Sequence, residues 1–149
     1  MSLVSVIMPY YSKRSYLENS LNSVLNQSYK NLEIILVNDE MDLETKKFLQ
    51  TISKKDMRIK LINNDKNLGA GKSRNKAIEI SNGEYIAFCD CDDLWKKTKL
   101  EKQLTFMKNS NLDFTFTAYE IINEKNEIIS HRDAKKVIEF KSLLKSCDI

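Results

Sequence analysis

The chain has 149 residues, 42% of them hydrophobic and 30% charged, proportions of a globular protein that exclude a disordered or membrane-embedded polypeptide. That length suits one domain able to bury a continuous core without disulfides or structural metals. The net charge of +3 is spread along the chain, so no block of basic residues marks a nucleic-acid surface.

No apolar run approaches the roughly 20 residues that span a bilayer. Met1 to Pro9 carries no basic leader and no small-residue cleavage site, which argues against secretion. Three cysteines, Cys89, Cys91 and Cys147, cannot pair completely and predict free thiols in a reducing compartment. A cytoplasmic protein is the expectation.

Leu3 to Met8 is a short, β-branched apolar run stopped by Pro9, the pattern of a strand buried on both faces. Tyr16, Leu17, Leu21, Val24 and Leu25 then recur at helical spacing and predict a helix from about Ser15 to Asn26. A second apolar run, Leu32 to Val37, precedes a helix that starts after Asp42, an N-cap candidate. Arg58 to Ile62 reads as a strand, Asn63 to Gly71 as a polar loop, and Lys72 to Ile80 as a helix stopped by Asn82-Gly83. Tyr85 to Cys89 is a further buried strand and runs directly into Asp90. Beyond it come a helix from about Lys97 to Asn109 and a β-hairpin from Phe114 through the Glu124–Glu127 turn to Ile129. A last helix is expected over Phe140 to Cys147.

Alternating strands and helices imply right-handed βαβ units, a mostly parallel sheet, and ligands bound at the carboxyl ends of the strands. The segments to read for chemistry are therefore Pro9 to Ser12, Asn38 to Glu40 and Asp90 to Asp93. Asp90-Cys91-Asp92-Asp93 sets three carboxylates within four residues, an arrangement whose mutual repulsion calls for a cation or a donor-rich partner. Hard oxygen donors suit Mg²⁺ or Mn²⁺ shared with substrate phosphates. The competing reading, helix capping, needs only one carboxylate, and Asp93 is the candidate for it.

Four segments carry a resemblance: VSVIMPYY at Val4 to Tyr11, LNSVLNQSYKNLEIILVND at Leu21 to Asp39, NLGAGKSRNKAI at Asn67 to Ile78, and GEYIAFCDCDD at Gly83 to Asp93. In this order and spacing the chain resembles glycosyltransferase family 2. The stretches KLEKQLTFM and FTFTAYE are most similar to those of bacterial enzymes that build cell-wall, capsular or lipopolysaccharide glycans. The resemblance implies a GT-A-type, Rossmann-like α/β fold, a three-layer α/β/α sandwich with a mostly parallel sheet and a C-terminal β-hairpin and helix.

It also implies that the chain, over residues 1–149, is the donor part of an inverting, metal-dependent hexosyltransferase. Such an enzyme passes sugar from a UDP-sugar, favoured over a GDP-sugar, to a glycan or lipid-linked acceptor. Pro9 and Tyr11 would border the nucleotide, with Tyr11 stacking on the base and Asp39 accepting the imide hydrogen of uracil. Asp90 would lie near the ribose, and Asp92 would bind the Mn²⁺ or Mg²⁺ that bridges the phosphates. Arg74 would support either the diphosphate or the helix–loop geometry. The general base of this family lies downstream of anything matched before Ile149, so a chain truncated ahead of its acceptor segments is expected, with peripheral membrane association a property of the longer enzyme.

The sequence departs from the family pattern in three places. Asn38-Asp39-Glu40-Met41 replaces the usual Asp-Asp-Gly-Ser, Tyr11-Ser12 replaces Tyr-Asn, and Cys91 replaces a small residue inside the D-x-D motif. Three rival readings accompany this one. Gly71-Lys72-Ser73 ends like a phosphate-binding P-loop, but Lys66 stands where that fingerprint requires glycine. Cys89 and Cys91 could join a thiolate metal site only with Cys147 and His131, which lack motif spacing. A non-catalytic donor-binding module is the third.

Overall fold

The structure, a computed structural model, describes residues 1–134; the helix expected over Phe140 to Cys147 lies outside them. The chain divides into two compact units, Met1–Lys102 and Gln103–Ile149. In the first unit, β1 (Val4–Tyr10), β2 (Leu32–Asn38), β3 (Ile59–Asn63) and β4 (Tyr85–Phe88) alternate with α1 (Arg14–Leu25), α2 (Leu43–Ser53) and α3 (Ala70–Glu79). All four strands are parallel, in the order β3-β2-β1-β4. Right-handed crossovers place α1 and α2 on one face and α3 on the other, because the third crossover reverses direction past β1. This is the three-layer α/β/α arrangement of the GT-A fold.

Every residue of β1 and β2 is buried, as expected for central parallel strands with helices on both faces. Ile7, Ile35 and Val37 pack with Ala77 of α3, and Ile62 of β3 joins them. Burial of one such aliphatic side chain contributes about 1.5–3 kcal/mol. β1 runs through Pro9, which pairs in register with Val37, instead of stopping before it. Proline near a strand's end removes only one ladder donor.

β4 is less enclosed than its apolar sequence suggests, for Ile86 and Phe88 are 39% and 50% exposed. It is the outer strand of the four, and α3 lies over β1 and β2. Asp42 caps α2, its Oδ1 accepting the Thr45 N–H at 2.7 Å. Among the described residues no helix is long and apolar enough to cross a membrane.

α4 (Lys99–Ser110) begins in the first unit and ends in the second. It stops at Asn111, whose φ of 50° is the left-handed conformation that asparagine tolerates at a helix end. The hairpin consists of β5 (Tyr119–Ile122) and β6 (Ile128–Arg132), antiparallel. Its first strand is shorter than the Phe114 start that alternation predicts. Asn123 organises the turn, its Oδ1 accepting the N–H groups of Lys125 and Glu127 at 2.9 and 3.0 Å, and Asn126 takes φ 61°.

Candidate active site

A cleft of about 190 Å³ lies at the carboxyl ends of β1, β2 and β4, where the strand order reverses. Doubly wound sheets bind ligands at this place because adjacent loops diverge to opposite faces there. Pro9, Tyr10, Tyr11 and Lys13 line it from the β1 end, Asp39 from β2, Ala70 and Arg74 from α3, and Asp90, Cys91 and Asp92 from β4. All six residues singled out in the sequence, Pro9, Tyr11, Asp39, Arg74, Asp90 and Asp92, are therefore brought together.

The Tyr11 ring is 57% exposed, so it stands at the rim and is not a core aromatic. Ser12, next to it, has φ 53°; the asparagine usual here would adopt that conformation more readily. Asp39 is 3% exposed. Its Oδ1 accepts from Asn64 Nδ2 and the Leu68 N–H, both at 2.8 Å, and its Oδ2 from the Gly69 N–H at 2.8 Å. Asn67 Nδ2 donates to the Asp39 carbonyl at 3.3 Å. One carboxylate thus folds the whole loop between β3 and α3 over the end of β2.

The same bonds weigh against the P-loop reading, because the Leu68 and Gly69 N–H groups are committed to an anion the protein already carries.

Arg74 forms an ion pair with Asp90, tying α3 to the turn after β4. Ser20 of α1 holds that turn from the opposite side, its hydroxyl donating to the Asp90 carbonyl at 3.1 Å. Lys13 Nζ lies 2.9 Å from Asp92 Oδ2, and the hydrogen bond to that carboxylate, together with its negative charge, raises the lysine pKa. Asp93 is pushed up by burial and then by its neighbours Asp90 and Asp92. It does not cap the following helix, since α4 begins only at Lys99. Burial likewise pushes Cys89 to about 12 and Cys91 to about 11, so both free thiols stay protonated and are poor metal ligands.

A divalent cation fits this donor set only as a shared ion. Among the described residues no three His, Cys, Asp or Glu side chains converge as a protein-built cage. Asp92, however, presents a partly exposed carboxylate to the cleft. Mg²⁺-type ions commonly take one or two carboxylates and complete their shell with phosphate oxygens and water.

Sequence reasoning missed Lys13, although a cation two residues beyond Tyr11 could have been found by extending the strand-end segment. It also missed two buried amides: Asn64, which lies outside every segment that carries the resemblance, and Gln27, which lies inside the Leu21 to Asp39 segment but was given no role. Gln27 donates to the Ser23 and Lys96 carbonyls and accepts from the Leu100 N–H, fastening the segment after Asp93 to α1.

Residues 5–147 match the sequence profile described as glycosyl transferase family 2. The chain belongs to this family. TuaG of Bacillus subtilis (strain 168), a glycosyltransferase assigned to teichuronic acid biosynthesis, is 47% identical over 120 residues, which are 80% of this chain and 48% of TuaG. WfgD of Escherichia coli, a UDP-Glc:alpha-D-GlcNAc-diphosphoundecaprenol beta-1,3-glucosyltransferase, is 39% identical over 147 residues, 99% of this chain and 57% of WfgD. The chain thus spans about half the length of the curated family members it matches. Among solved structures, S. aureus TarS in complex with UDP superposes with a TM-score of 0.65 at 25% identity, over 85% of this chain and 43% of TarS. The Pyrobaculum calidifontis mannosyltransferase PcManGT, solved with GDP-Man and Mn²⁺, shares the fold with a TM-score of 0.66 at 21% identity, over 83% of this chain and 36% of that one.

Proposed function

We propose that this chain binds a UDP-sugar and forms the donor side of an inverting hexosyltransferase that extends a glycan or lipid-linked acceptor in bacterial surface polysaccharide synthesis. The observation that carries this reading is the assembly of Tyr11, Asp39, Arg74, Asp90 and Asp92 around one cleft at the switch point of the sheet. The names of its relatives support the acceptor class, since WfgD acts on a diphosphoundecaprenol-linked sugar. The UDP complex of TarS supports the nucleotide.

In this reading the exposed Tyr11 ring stacks on the base, and Asp39 accepts the imide hydrogen from the far end of the cleft. Asp90, oriented by Arg74, faces the ribose. Asp92 holds the Mn²⁺ or Mg²⁺, which when bound neutralises the charge that gathers on the leaving diphosphate. Lys13 supplies a second positive group beside the same phosphates. The general base that deprotonates the acceptor hydroxyl is assigned to residues of the family's longer polypeptides. A cytoplasmic setting at the inner membrane face is part of the proposal, because the donor is water-soluble while the acceptor of WfgD is lipid-linked.

Calorimetric titration with UDP, GDP and ATP, each with and without Mn²⁺, tests this. Saturable, Mn²⁺-dependent UDP binding with GDP and ATP weaker is the expected outcome. Equal binding of all three, or ATP binding with UDP silent, would reject it. Hydrolysis of a UDP-sugar without acceptor separates a competent donor site from a binding-only module.

A further inference from the structure

We propose that Asn64 is a positioning residue for nucleobase selection, fixing the Asp39 carboxylate so that the acceptor capacity left on Oδ2 reads an N–H donor of the base. This rests on the nucleotide-binding reading above and adds a residue and a selectivity to it.

Asn64 is 1% exposed and makes bonds at every side of its amide. Its Nδ2 donates to Asp39 Oδ1 at 2.8 Å and to Ser73 Oγ at 2.9 Å. Its Oδ1 accepts from Lys76 Nζ at 3.1 Å, and its backbone N–H donates to the Asn38 carbonyl at 2.9 Å. A flipped amide would set its oxygen against the Asp39 carboxylate and its NH₂ against the Lys76 ammonium. Charge on both sides therefore fixes the orientation that the network requires.

The consequence falls on Asp39. An ionised carboxylate offers about four acceptor positions. Asn64 and Leu68 occupy two on Oδ1, and Gly69 occupies one on Oδ2. The capacity that remains is on Oδ2 of a side chain that lines the cleft and is otherwise enclosed. A base that presents an N–H there gains a charge-assisted hydrogen bond. One that presents a lone pair meets two acceptors face to face. Uracil carries hydrogen on N3 and cytosine does not, so the arrangement selects uridine over cytidine diphosphate. Asp39 follows β2, Asn64 follows β3, and Ser73 and Lys76 belong to α3. The selectivity is therefore built by three elements and not by the aspartate alone.

The test is calorimetric titration of UDP and CDP, with Mn²⁺, into the full chain and its Asn64→Ala, Lys76→Met and Asp39→Asn variants. Wild type should prefer UDP. Asn64→Ala should lose about tenfold in UDP affinity, the usual effect of one bond to a charged group, with CDP affinity little changed. Lys76→Met, at a partly exposed position, should move the UDP-to-CDP ratio in the same direction by about two- to threefold with its melting temperature near wild type. Equal losses for UDP and CDP would make Asn64 a mere loop support and overturn the proposal, as would an unchanged ratio. If Asn64→Ala does not fold, an unchanged ratio in Lys76→Met overturns it alone. Failure of the underlying reading looks different: wild type then binds neither nucleotide, or Asp39→Asn leaves the ratio untouched.

Discussion

Lys13 and Asp92 face each other across the mouth of the cleft, ammonium nitrogen to carboxylate oxygen at 2.9 Å. The lysine immediately precedes α1 and the aspartate follows β4, so the pair joins the two sides of the switch point. Lys13→Met is expected to weaken UDP binding in Mn²⁺ by up to about fivefold, the scale of a solvent-exposed charge contact. The deficit should shrink as salt is raised, because exposed charges are screened. Titrations at two ionic strengths check this, and a deficit independent of salt would contradict it.

At the opposite end of the sheet, buried Glu33 gathers a polar network. Its Oε1 accepts from Ser5 Oγ at 2.6 Å and the Asn82 N–H at 2.7 Å, and Lys60 Nζ pairs with Oε2 at 2.6 Å. Burial alone would raise the Glu33 pKa. The bonds from Lys60, Ser5 and Asn82 outweigh it and bring it to about 2. A pKa depressed on folding stabilises above the unfolded value and loses that contribution as pH falls through the folded one. Stability should therefore fall between about pH 4.5 and pH 2. Glu33→Gln should cost roughly 2–3 kcal/mol at neutral pH and flatten that acid limb, measured by urea unfolding across the pH range.

Gly83 closes the same network from the turn before β4, donating its N–H to Ser5 Oγ at 2.8 Å. A Cβ at this position would lie 2.5 Å from the Ser5 backbone nitrogen, which no real contact allows. Gly83→Ala is expected to destabilise by about 1–3 kcal/mol while leaving the cleft residues untouched. Thermal unfolding would show this as a lowered melting temperature.

Gly69 answers a different demand. Its φ of 79° and ψ of 161° at the start of α3 suit glycine alone, and its N–H is the donor on Asp39 Oδ2. Gly69→Ala should cost about 1–3 kcal/mol and weaken UDP binding together with stability. Unchanged UDP affinity in a destabilised variant would separate the loop from the nucleotide site.

The fold was legible where periodicity was strong. β1, β2 and the helices between them follow from apolar runs that alternate with helical stripes, and Asp42 announces its cap by residue type. The limits came from tertiary context. Pro9 remains in β1 because it sits near the strand's end, and Ile86 and Phe88 are exposed because β4 is the outer strand, which composition does not reveal. Of the cleft, the strand-end aspartates were visible because ionised groups after apolar strands require a reason. Lys13 and Asn64 were not, since a lysine after a turn and an asparagine in a polar loop look like ordinary surface until the chain has folded around Asp92 and Asp39.

The proposed donor site depends on Asp92 holding the cation through which the cleft binds a nucleoside diphosphate. Calorimetric titration of UDP in Mn²⁺ into Asp92→Asn tests it most directly, with thermal unfolding as a check on the fold. An unchanged melting temperature and the loss of Mn²⁺-dependent UDP binding are the expected outcome. UDP affinity and Mn²⁺ dependence equal to wild type would contradict it.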